Sequence, residues 1–88
     1  MTIQTFFVFV GCTTGMTYKV GRRIAKEVPC VKEVSSISGR WDLLVKLAID
    51  TREDVGELVN DKLAAIEGIR RTKTIVAYHV YDPGDVFF

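Results

Sequence analysis

Gly39, Arg40, Trp41 and Asp42 are four consecutive residues whose types suit them to hold a small zwitterion. A glycine in a hairpin turn exposes backbone N–H groups that can hold a carboxylate, and the Asp42 carboxylate can hold an α-ammonium group. An amino acid needs both partners at once, and each charge-assisted hydrogen bond contributes about 1.5–3 kcal/mol. Arg40 could close over a ligand carboxylate, and Trp41 could floor a side-chain pocket. Each has a plainer use: Gly39 supplies the positive φ of a tight turn, and Trp41 is a half-buried strand aromatic. The residues alone leave both readings open.

Other chemistry is poorly represented. His79 is the single histidine, and Cys12 and Cys30 have no CxxC spacing, so no metal set is implied. No Ser/His/Asp constellation and no GxxxxGK run is present, and no cofactor is implied. Thr72 and Thr74 lie on one alternation of a predicted strand, where they offer two hydroxyls or serve β propensity and cross-strand pairing.

The elements that must position these residues follow from periodicity. Ile3 to Val10 reads as a strand apolar on both alternations, with Ile3, Phe7 and Phe9 on one side and Phe6, Val8 and Val10 on the other. After a Gly-containing loop, Met16 to Glu27 reads as a helix with Val20, Ile24 and Val28 on one stripe, stopped by Pro29. Lys19, Arg22, Arg23 and Lys26 form its solvated side. Val31 to Ser38 and Trp41 to Ile49 read as strands joined by a two-residue turn at Gly39-Arg40, with Val31 and Val34 on opposite alternations. Asp50 is the expected cap of a second helix carrying Val55, Leu58, Val59, Leu63 and Ile66, with Glu53, Glu57 and Asp61 outside and Gly68 at its end. Arg70 to Tyr81 is the last strand, and Asp82-Pro83-Gly84-Asp85 the closing turn.

The order βαββαβ predicts an α+β, ferredoxin-like domain: a four-stranded antiparallel sheet with two helices on one face. Its 88 residues fit one domain, 1–88, and 48% of them are apolar against 26% charged. A chain this short buries only about 60–65% of its unfolded surface, so such apolar content predicts a partner on the open sheet face. Homodimerisation through the sheet is the expectation. A net charge of +1 offers no bulk field for nucleic acid. The longest apolar run is far short of a membrane span, and no signal peptide is read, so a cytoplasmic setting is expected.

Val34 to Leu47 (VSSISGRWDLLVKL) resembles the hairpin of the Lrp/AsnC effector-binding domain, where Gly, any residue, an aromatic and Asp precede an apolar strand. Ile66 to Thr74 (IEGIRRTKT) resembles the same family's G-V/I-x-R-T-x-T run entering the last strand. With the apolar first strand, the resemblance spans about Ile3 to Val80. It implies a dimer, often assembled into a ring of dimers, with a site for an amino acid or related metabolite where dimers meet. It places Gly39, Arg40, Trp41, Asp42, Thr72 and Thr74 at that site. Full-length members carry an N-terminal helix-turn-helix, whereas this chain begins at the first strand. The resemblance thus implies a stand-alone effector domain that does not bind DNA directly and joins a full-length Lrp/AsnC regulator. Two other classes stay open: a small cofactor-free enzyme of the dimeric ferredoxin-like kind using His79 or Tyr78, and an oligomerisation scaffold without ligand.

Overall fold

The computed structural model describes residues 2–81 and 83–85. Strand β1 runs Ile3–Cys12, helix α1 Thr17–Glu27, β2 Val31–Ser36, β3 Leu43–Asp50, and β4 Ile69–Ala77. Helix α2 is a single turn, Val55–Leu58, that continues as a π-helical segment, Val59–Leu63. The sheet order is β2-β3-β1-β4, and all three pairings are antiparallel, which is the ferredoxin-like arrangement. No helix of the described residues is long and apolar enough to cross a membrane.

One face of the sheet closes on the helices. Val8 and Val10 of β1 and Val45, Leu47 and Ile49 of β3 are buried with Val20 and Ile24 of α1 and Leu63 of the π segment. The alternation of β3 is complete: Leu43, Val45, Leu47 and Ile49 are buried while the residues between them are not. Burying a side chain such as Leu47 contributes about 1.5–3 kcal/mol, and this dry layer holds the fold. Opposed residues of paired strands share a face, so Thr5, Phe7 and Phe9 stand with Ala77, Ile75 and Lys73 on the uncovered side.

The expected ends of several elements shift. Val31 and Val34 both pack against the core, although simple alternation separates them. A bulge in β2 between Val31 and Glu33 inserts one residue and returns both valines to the helix side. The β2–β3 connection is not the two-residue turn Gly39-Arg40. β2 stops at Ser36 and β3 starts at Leu43, and the Ile37 N–H donates to the Asp42 carbonyl (3.0 Å) across a wider loop. The Asp42 N–H is spent on the Val10 carbonyl of β1 (2.9 Å), which draws the loop's end onto the sheet.

Asp50 does not cap α2. Its carboxylate binds the backbone and guanidinium of Arg52, and that pairing holds it below the usual carboxylate range. Asp54 caps instead, accepting from the Glu57 N–H at 3.1 Å. Gly68 lies beyond the helix, in the turn that feeds β4. β4 ends at Ala77 rather than Tyr81, leaving Tyr78 91% and Tyr81 85% exposed. Pro83–Asp85 forms a 3-10 turn, while Asp82 lies outside the described residues. Val28, before Pro29, is extended as the proline requires.

Candidate functional site

The β2–β3 loop, the end of β1 and the start of β4 converge on a cleft of about 320 Å3 lined by Gly11, Cys12, Arg40, Asp42, Arg70 and Arg71. One wall is the Asp42 carboxylate, whose Oδ2 accepts from the Cys12 backbone N–H at 2.7 Å. This bond satisfies a donor at the end of the strand and fixes the carboxylate's position. The Cys12 thiol is buried against the same wall. Burial pushes its pKa up and the Asp42 charge adds to the rise, while a hydrogen bond with Thr17 offsets part of it. It is a protonated packing group at neutral pH, not a nucleophile.

The other charged residues of the cleft are cationic. Val10 pairs with Thr72 and Gly11 with Arg71, but Cys12 pairs with Ile69, so Arg70 is the extra residue of a β4 bulge. Regular alternation would send Arg70 and Arg71 to opposite faces. The bulge brings both to the cleft, as bulges re-aim side chains near sites. Arg71 crosses Gly11, where a Cβ would meet its Cγ at 2.9 Å and its Nε at 3.0 Å, so only glycine admits that path. Its guanidinium then stacks over Trp41 at 4.3 Å and donates to the Arg40 carbonyl at 2.8 Å. Trp41 in turn lies 5.9 Å from the Phe9 ring. Arg71 is thus a brace between β4 and the loop.

The residues picked from the sequence fall into three groups. Arg40 and Asp42 line the cleft. Trp41 stands behind it on the uncovered sheet face, holding Arg71, and Gly39 sits in the exposed loop with φ +104°, a conformation that favours glycine. Thr72 and Thr74 pair with Val10 and Val8, which puts their side chains on the helix side of the edge strand, away from Trp41 and Arg71. Within one chain the cleft does not include them. Spacing does not single out Arg70 and Arg71, although both lie inside the G-I-R-R-T-K-T run; the bulge that gathers them leaves no mark in the residue pattern.

His79 is exposed, edge-on to Tyr81 at 4.4 Å, beside a depression formed with Thr2–Thr5 and Ala77–Val80. A separate groove of about 440 Å3 lies between α1 and β2, bordered by Tyr18, Gly21, Arg22 and Val34. Among the described residues no cluster of three His, Cys, Asp or Glu side chains suits a metal ion.

The fold and the cleft define a ferredoxin-like domain with a polar site at the hairpin end of its sheet. The chain belongs to the Lrp/AsnC ligand-binding-domain family, whose profile matches residues 5–86. It is 44% identical over 66 residues to an uncharacterised HTH-type transcriptional regulator of Pyrococcus abyssi, a match that covers 74% of this chain and 43% of the regulator. The chain therefore spans less than half the length of that relative. Among solved structures it resembles TTHA0845 of Thermus thermophilus, with 30% identity, a TM-score of 0.75, and 90% of this chain and 98% of that one covered. It shares its fold with a transcriptional regulator of Neisseria meningitidis solved as a complex with L-Met, at 15% identity and a TM-score of 0.73, covering 86% of this chain and 50% of that one.

Proposed function

We propose that the domain, residues 1–88, is a small-molecule sensor that binds an amino acid or related metabolite in the cleft at Arg40 and Asp42, with Gly39 shaping the loop above it. The observation that carries this reading is the Asp42 carboxylate, fixed by the Cys12 N–H in a cavity of about 320 Å3 that Arg40, Arg70 and Arg71 also line. That pairing offers an ammonium site and a carboxylate site to one molecule. The Neisseria regulator's complex with L-Met supports it as an example of an amino acid bound by a protein of this fold. Phe7, Phe9 and Ile75 on the uncovered face support association with a second copy. Thr72 and Thr74 would meet a ligand from the other side of β4 only in an assembly of dimers. Binding would shift assembly, or affinity for a full-length Lrp/AsnC regulator, through different affinity for the two states. Such a domain acts in transcriptional regulation in the cytoplasm without contacting DNA itself and without catalysis.

A thermal-shift scan against the twenty amino acids tests it. A ligand at about 100 times its Kd adds roughly 2.7 kcal/mol, and each kcal/mol moves a domain this small by about 4–8 °C. One or a few amino acids should raise the midpoint, and Asp42→Asn, which keeps an acceptor for the Cys12 N–H but removes the charge, should abolish the shift. A flat scan, or an unchanged response in Asp42→Asn, overturns the reading.

A further inference from the structure

Resting on that reading, we propose that the amino acid this cleft selects carries a second negative charge: an acidic amino acid, aspartate or glutamate in class, rather than an aliphatic or thioether one. The lining residues set the balance. Arg40, Arg70 and Arg71 line the cleft together with Asp42, three cationic residues to one carboxylate. A neutral zwitterion would use Asp42 for its ammonium and one guanidinium for its carboxylate. It would leave two cations without a counter-charge in a shared recess.

The three arginines are not equivalent. Arg71 is committed to its place by the Trp41 ring beneath it and the Arg40 carbonyl, which occupy one face of its guanidinium plane and one donor. A guanidinium carries five donors in a rigid fork, so Arg71 keeps a fixed set for a carboxylate. Among the described residues, neither Arg40 nor Arg70 has a carboxylate partner; the ion pairs are Arg23 with Glu27 and Arg52 with Asp50, both elsewhere. The β4 bulge at Arg70 brings a second guanidinium beside Arg71, which a regular strand would not do. Two carboxylates of one ligand, set against two guanidinium forks, use that arrangement.

The apolar side of the balance points the same way. Apart from Gly11 and Cys12, every residue lining the cleft is charged. An aliphatic or thioether side chain finds no wall there on which to gain burial energy. The aromatic pair Phe9–Trp41 lies on the sheet face with Arg71 stacked over Trp41. The neighbouring groove at Tyr18 and Val34 is apolar, but it is bordered by α1 and β2 and shares no lining residue with this cleft.

Calorimetric titration of the whole chain with L-aspartate, L-glutamate, L-asparagine, L-glutamine and L-methionine tests the inference. An acid should bind about tenfold or more tightly than its own amide, since one charge-assisted pair is gained. Arg70→Gln should collapse that ratio while leaving the affinity for the amide within about twofold, whereas Arg40→Gln should weaken the acid and the amide alike. Arg40→Gln keeps the backbone carbonyl that Arg71 uses, and Arg70 is exposed, so both variants should fold. Added salt should weaken the acid more than the amide. An amide or methionine that binds as tightly as the acids overturns the acidic preference while leaving the sensor reading intact. An acid-to-amide ratio untouched by Arg70→Gln overturns the role of this arginine. Binding by none of the twenty amino acids in the thermal scan removes the sensor reading itself, and this inference with it.

Discussion

The two faces of the sheet are built from the same strands yet finished differently. On the helix side, Val8, Val10, Val45, Leu47 and Ile49 reach full burial within one chain. On the other side, Phe7, Phe9 and Trp41 remain half-buried, Ile75 and Ile3 are exposed, and Lys46 and Lys73 stand among them. The first face is a completed core that specifies the fold. The second leaves apolar area uncovered within one chain and carries, at its hairpin end, the Arg71 brace that borders the cleft. A closed core and an uncovered apolar area thus lie on opposite sides of one sheet, and β1, in the interior of the sheet, contributes to both with alternate residues.

Three substitutions of decreasing consequence sharpen this contrast. Leu47→Ala removes a side chain only 1% exposed, and should cost about 2–5 kcal/mol in a urea titration because a cavity is left behind. A loss under about 1 kcal/mol would mean that the helix face is not the core that holds the fold. Phe7→Lys on the uncovered face should instead leave the folded monomer intact and abolish association, read by light scattering coupled to gel filtration. A variant that unfolds, or that still associates at the wild-type concentration, breaks the division between the faces.

Arg71→Gln should have the smallest effect. It removes the cation–π contact with Trp41 and a donor to the Arg40 carbonyl, worth about 0.5–1 kcal/mol at so exposed a place. Trp41 is the single tryptophan, so its fluorescence reports the change directly. An emission spectrum identical to that of the wild type would show that the brace does not hold the ring in solution.

The fold was largely legible because its signals are local and additive. The stripe Val20, Ile24, Val28 of α1, the alternation of β3, and the proline that stops α1 are each read within a few residues, and the element order then restricts the topology. Element ends were less legible where neighbours compete for the same groups. Asp50 is a good helix cap by type, but Arg52 two residues on captures its carboxylate, and Asp54 takes the capping place. The loop around Gly39 widens because Asp42 gives its N–H to Val10, a partner far off in the chain and invisible to turn rules.

Residue types by themselves determined that this chain makes a small antiparallel α+β domain with apolar area on both sides of its sheet, and that Gly39 and Asp42 lie together in a hairpin. Tertiary structure alone decided which charges share a cleft. A one-residue bulge in β4 did this by bringing Arg70 beside Arg71, and another in β2 returned Val31 to the helix side. It also decided that Thr72 and Thr74 point to the helix side, away from Trp41 and the Arg71 brace. The physical reason is the period of a strand. Side chains alternate with a period of two, so a single inserted residue reverses every later face, and where the insertion falls depends on pairing with a distant strand rather than on the residues beside it.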